Sequence, residues 1–269
     1  MIFALLFIGM MTVVFFSGRY NIHRQFIKEV KSLFANSDII DRKLSYDQLK
    51  DLPAPVARYF RHVLKEGQPY VSTVHLTHDG LFKTGLNKDW INIRGEQYFT
   101  ISPPGFVWKG QTKLFTARDM YIHESGKLVV NILSLLKVVN ASGDSYNESE
   151  LQRWLAECVW FPTNLLPGED LTWEAIDTSH AKLTLKYKKL SISYLVTFNE
   201  IGEITQLETR RFMEKGKRET WIGTLWDYKE YNGMSIPTTI EVKWVIGEEH
   251  LPYARFHIKT IVYNVTYSD

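Results

Sequence analysis

From Val71 onward, apolar and polar positions alternate with a period of two. Ala181, Leu183, Leu185 and Tyr187 oppose Lys182, Thr184, Lys186 and Lys188, and Leu190, Ile192, Tyr194, Val196 and Phe198 oppose Ser191, Ser193 and Thr197. Successive side chains of a strand point to opposite faces, so each run predicts a strand with one dry face and one wet face. Turn residues divide the region at Asn87-Lys88, Pro103–Gly105, Ser125-Gly126, Asn199–Gly202, Lys215-Gly216 and Asn232-Gly233. The later strands are expected at 171–175, 180–188, 190–198, 203–212, 219–231, 235–245 and 253–263. No strand-helix alternation of the parallel kind is visible, so the pattern predicts an antiparallel meander. A sheet this wide must curl or close to protect its faces and edges.

Elsewhere the period is helical. Tyr20 to Asn36 places Ile22, Phe26, Val30, Leu33 and Phe34 on one side, Ser45 caps a short helix, and residues 52–67 give another, with prolines near its start and Gly67 at its end. A further helix is expected at 148–159, with Trp154, Cys158, Leu151, Leu155 and Val159 on its apolar arc. Asn147 is its expected cap, Glu150 the capping-box partner, and Pro162 its stop. Arg153 lies one turn from both Glu150 and Glu157, which predicts a local ion triad. That polar cluster reads either as a carboxylate pair held by an arginine for acid/base work or, preferred here, as a solvated helix flank. Residues 128–139 fit neither period: they are apolar except for Asn131, Ser134 and Lys137. A central core strand is the plain expectation, and a lipid-facing lid or gate the functional one.

The first 16 residues carry no charged side chain and span about 24 Å as a helix. No basic residue precedes them, and Phe15 and Phe16 crowd the place where a signal peptide would be cut. An uncleaved membrane anchor through residues 1–18 is therefore expected, with single-pass attachment to the cell membrane. Arg19, Arg24, Lys28 and Lys31 follow. They favour a cytoplasmic C-terminal side, but cations also bind anionic headgroups, which leaves the orientation open. The expected organisation is anchor 1–18, helical connector 19–67 and β-rich domain 68–269.

Composition narrows the classes. The 269 residues are 45% hydrophobic and 14% aromatic, enough for a sizeable core, and a net charge of +2 with mixed signs gives no nucleic-acid face. The single cysteine, Cys158, excludes an internal disulfide and falls on an apolar arc, as a buried structural thiol does. His75 and His78, three apart on a strand, face opposite ways and make no metal site. Phosphate-loop, nucleophile-elbow, dinucleotide and zinc-protease motifs are absent, so neither a catalytic set nor a cofactor is assigned. Glu96-Gln97 and Arg118-Asp119 flank the Pro103–Trp108 turn and read as pocket lining or as surface pairs.

Five motifs in order carry a resemblance: LPAPVARYF (52–60), PPGFVW (103–108), ARD (117–119), ELQRWLAE (150–157) and WFPTNLL (160–166). Together they resemble a bacterial family of membrane-anchored proteins of unknown function. More distantly, Trp226–Glu241 resembles the lipoprotein-carrier and lipoprotein-sorting proteins, and this implies a half-barrel that holds lipid tails. The expected fold is α+β: a strongly curved, half-barrel-like antiparallel sheet with packed helices and an N-terminal anchor helix. The expected function is binding of membrane lipid or another apolar small molecule in the concavity, with Trp108, Arg118, Trp154, Trp160 and Phe161 as ligand-binding residues. A hydrolase using Glu150, Arg153 and Glu157, with Arg118 and Asp119, is the alternative, as is a structural or protein-interaction domain at the membrane.

Overall fold

A computed structural model describes residues 2–214 and 216–266, without the side chains of residues 2, 4–9, 11 and 214. The expected turn residue Lys215 lies outside the described residues.

Among the described residues, thirteen strands form one antiparallel sheet. They are β1 (Thr73–Phe82), β2 (Ile91–Thr100), β3 (Gly105–Gln111), β4 (Phe115–Ile122), β5 (Ser125–Ile132), β6 (Leu136–Ser142) and β7 (Leu171–Ala175). The series continues with β8 (His180–Tyr187), β9 (Leu190–Phe198), β10 (Ile204–Glu214), β11 (Lys217–Tyr231), β12 (Met234–Ile246) and β13 (Glu249–Tyr263). The spatial order is β6-β5-β4-β3-β2-β1-β13-β12-β11-β10-β9-β8-β7. Two meanders thus run outward from a central β1–β13 seam, and the period-two runs of the second half coincide with its strands.

Among the described residues, the sheet is accompanied by the α-helices α1 (Ile2–Phe34), α2 (Ala54–Val63) and α3 (Asp144–Glu157). The helix α3 touches β3 to β6 on one arm and β9 and β10 on the other, although five strands lie between those groups. A flat sheet cannot do this, so the sheet curves around α3. Its opposite face carries α1, where Phe26, Val30 and Leu33 bury against Val107 and Met120. Among the described residues no helix is long and apolar enough to cross a membrane. Most side chains of the expected anchor's first 11 residues lie outside the description.

Three local expectations are corrected. The helix α3 begins at Asp144 with Gly143 as its cap residue, and the Asn147 side chain instead accepts from the Gly126 backbone N–H at 2.8 Å. Residues 128–139 form neither a central strand nor a helix. They make the β5–β6 hairpin at the sheet edge, turning through Leu133 and Ser134, both with positive φ. The flank of α3 is not solvated: Glu150 and Glu157 are buried, because the sheet closes over both sides of the helix. Cys158 is a buried thiol whose S–H points to the Trp154 carbonyl, 3.3 Å away.

Candidate ligand-binding cavity

Strand register builds the site in two cross-strand rows on the concave face. One row runs Leu76, Gln97, Trp108, Asp119, Leu128, and the next runs His78, Gly95, Gly110, Ala117, Val130, Val139. The second row is small at its centre. A Cβ on Gly95 would lie 1.8 Å from His78 Nε2, and one on Gly110 would lie 2.1 Å from the tip of the Trp108 ring. The two rings therefore lie down over the glycines, and beyond them Ala117 and Val130 leave space. The result is a cavity of about 460 Å³ between the concave face and the C-terminal half of α3. Its walls are apolar, with Ile93, Phe115, Val130, Trp221, Ile240 and Phe256 among them, while exposed Thr84, Ile132 and Val138 form its rim.

Charge is confined to the floor. Arg153 Nη1 donates to Asp119 Oδ2 at 2.6 Å and its Nε to Glu157 Oε1 at 2.9 Å, while Gln97 Nε2 donates to Glu157 Oε2 at 2.7 Å. Asp119 and Gln97 share one cross-strand row, and Arg153 and Glu157 sit four apart on α3, so sheet and helix periodicity together close the network. The Arg153 guanidinium also lies over the Phe106 and Trp108 rings, 4.9 and 5.0 Å from their centroids. Next to this network, Glu150 of α3 pairs at 3.6 Å with Arg211 of β10, which also lines the cavity.

Desolvation raises the Glu150 carboxyl well above the usual carboxylate range, and the neighbouring negative charge of Asp119 adds to it. With both carboxylates ionised, Asp119 Oδ1 and Glu150 Oε2 have no partner. A proton on Glu150 would let it donate to the neighbouring Asp119, in keeping with the raised pKa. Glu157 is likewise raised by burial, against the opposing pull of Arg153 and Gln97.

The expected site residues divide. Trp108 and Trp160 line the cavity, as do Arg153 and Glu157 at its floor. Trp154 and Phe161 are core: Trp154 Nε1 donates to the Thr100 carbonyl at 3.0 Å, and the Phe161 ring packs 5.0 Å from that of Phe99. Arg118 faces away from the cavity, because alternation turns it to the opposite side from Asp119, where it binds Glu29 and donates to Gln25 of α1 at 2.7 Å. Glu150 does not line the cavity, and the ion triad is corrected to two linked groups, with Glu150 answered by Arg211. The pair Glu96-Gln97 splits in the same way: Gln97 faces in, and Glu96 takes Lys109 at 2.6 Å outside. Asp119, Arg211 and Trp221 also line the cavity, and of these three only Asp119 drew notice in the sequence. Among the described residues no cluster of His, Cys, Asp or Glu is placed to hold a metal.

Several solved structures are similar to this chain, and two of them align over most of their length. One is a DUF1329 family protein from Desulfovibrio piger (10% identity, TM-score 0.44, covering 83% of this chain and 93% of that one). The other is a LolA superfamily protein from Nitrosomonas europaea (10% identity, TM-score 0.38, covering 81% and 93%). No curated protein matches the sequence. Residues 42–256, from the segment before α2 to β13, match a family of unknown function, and the chain belongs to that family, DUF6544.

Proposed function

We propose that this protein binds an apolar molecule, such as a membrane lipid's hydrocarbon chain, in the concavity of its sheet. One observation carries the reading: a cavity of about 460 Å³ walled mostly by aliphatic and aromatic side chains, whose charged groups Asp119, Arg153, Glu157 and Arg211 are each held in an ion pair. Small-molecule sites have this size range and this predominance of apolar walls. A hydrolase would need carboxylates converging on open space. Here Glu150 lies behind the lining, against Arg211, and Glu157 gives both oxygens to Arg153 and Gln97, which favours binding over catalysis. Attachment to the cell membrane through residues 1–18 belongs to the same proposal, motivated by their uncharged sequence.

The test is titration of the purified full chain with cis-parinaric acid, a fluorescent fatty acid, alongside native mass spectrometry for lipid retained through gentle purification. Saturation at one site with quenching of tryptophan emission is expected, because Trp108, Trp160 and Trp221 line the cavity. Val130→Trp, which fills the cavity, should abolish saturation while the protein stays folded by circular dichroism. An absence of saturable binding, or binding indifferent to Val130→Trp, would refute the reading.

A further inference from the structure

The cavity rim continues into an exposed apolar surface. Leu114, in the β3–β4 turn, accepts a backbone hydrogen bond from Leu133 at 2.8 Å, which joins that turn to the β5–β6 turn. Leu114, Leu133, Leu135, Leu136 and Val138 all stand in solvent, Leu114 and Leu136 with about two-thirds of their surface exposed. Two of the rim residues, Ile132 and Val138, belong to the same hairpin. Single exposed apolar residues are ordinary, but five on two hydrogen-bonded hairpins form a patch of the kind that marks a contact surface.

A second element meets this patch. The helix α1 passes close enough that a Cβ on Gly18 would lie 2.4 Å from the Ser134 carbonyl and 2.8 Å from the Leu135 side chain. Just before that contact α1 exposes Val13, Val14 and Phe16, and just after it the exposed cation Arg19 follows. Exposed Lys113 and Lys137 lie on the two turns themselves. Apolar side chains ringed by cations match a bilayer surface, hydrocarbon beneath and anionic phosphate around.

We propose that the β3–β4 and β5–β6 turns, together with the adjoining stretch of α1, seat in the surface of an anionic bilayer, so that the cavity mouth opens onto the membrane. An apolar chain could then pass between bilayer and cavity without crossing water. This inference rests on the binding function proposed above as regards the cargo, but its surface geometry is testable alone.

Cys158 is buried, so a cysteine introduced on the surface can be labelled selectively. The full chain carrying Leu136→Cys, labelled with an environment-sensitive dye, is reconstituted in phosphatidylcholine/phosphatidylglycerol vesicles. A matching label at Glu200→Cys, in the exposed β9–β10 turn, is the control. Strong quenching by lipids spin-labelled high on the acyl chain is expected at 136 and none at 200. Equal, weak quenching at both positions overturns the proposal. So does concentration-dependent dimerisation that shields position 136, since the patch would then join two copies.

A second variant, Leu133→Glu/Leu136→Glu, addresses the route. It should slow uptake of cis-parinaric acid from vesicles by tenfold or more, while binding of the same probe from solution is unchanged. Uptake at the normal rate overturns the route. Loss of binding from solution in the unmodified chain would instead remove the cavity function and leave the quenching result standing.

Discussion

Trp108 Nε1 donates to His78 Nε2 at 2.8 Å, and the two ring planes lie within 3° of one another. Indole is only a donor, so His78 Nε2 must accept and the imidazole proton sits on Nδ1, 3.4 Å from the Asp79 carbonyl. Protonating His78 would remove the acceptor. Burial lowers its pKa to about 4, and the positive charge of Arg153 acts in the same direction.

A lowered histidine pKa makes the folded state refuse a proton that the unfolded chain accepts near pH 6.5. Stability from this group is therefore complete above about pH 6.5 and falls as the pH drops toward 4. The gap corresponds to about 3 kcal/mol at 1.4 kcal/mol per pH unit. Glu150, whose pKa is raised, acts in the opposite sense and loses its contribution as the pH climbs. Denaturant unfolding of the wild type and His78→Gln across pH 4 to 7 isolates the first effect. The difference between the two proteins should shift by about 3 kcal/mol, and a constant difference would show that His78 does not titrate this way.

Gly95→Ala should cost roughly 1 to 3 kcal/mol, because the added methyl occupies the place of the His78 ring. Loss of the Trp108 signature in near-ultraviolet circular dichroism should accompany it. An unchanged melting temperature with an unchanged spectrum would mean that the ring has room to lift.

Removing one member of the floor network should cost far more than a surface ion pair. Arg153→Met leaves Asp119 and Glu157 buried without their countercharge, and a loss of about 3 to 5 kcal/mol is expected. The triple change Arg153→Met/Asp119→Leu/Glu157→Met should recover much of it, since an apolar replacement of the whole group removes the desolvation cost. If the triple variant is no better than Arg153→Met, packing rather than charge holds α3 in place.

Deleting residues 1–18 should leave a folded protein, because the packed part of α1 is Phe26, Val30 and Leu33 on the outer face. The truncated chain should melt within a few degrees of the full one and bind the bilayer only in a manner that high salt reverses. Adding Arg118→Met to that truncation frees Glu29 and Gln25, so limited proteolysis should then cut within residues 19–34 several times faster. Equal cleavage rates would show that apolar packing alone secures the helix.

Alternation made the strands of the second half legible at sight, from Leu171 to Tyr263. It also contained information that the reading of Arg118-Asp119 and Glu96-Gln97 did not use: neighbours on a strand cannot share a face, so only one of each pair could reach the concavity. The floor network was hidden for a different reason. Asp119 and Arg153 are 34 positions apart, and Glu150 and Arg211 are separated by 61, so neither pairing leaves a local periodic trace. The ion triad inferred from one helix thus saw three members of a cluster whose other charges came from distant strands. Residues 128–139 misled because a continuous apolar run usually means burial on both faces. Here one face lines a cavity and the turn stands exposed.

The order of the strands also sets a timetable. Among the described strands, every neighbouring pair in the sheet is also consecutive in the chain, except β1 with β13. Each arm can zip up by local hairpins, whereas the central seam must join segments such as Val74 and Tyr263, which are 189 positions apart. Loop closure grows costly with length and distant pairings form slowly. The two halves should thus gain structure early as independent ladders, and the molecule should become a single cooperative unit only when its first and last strands meet.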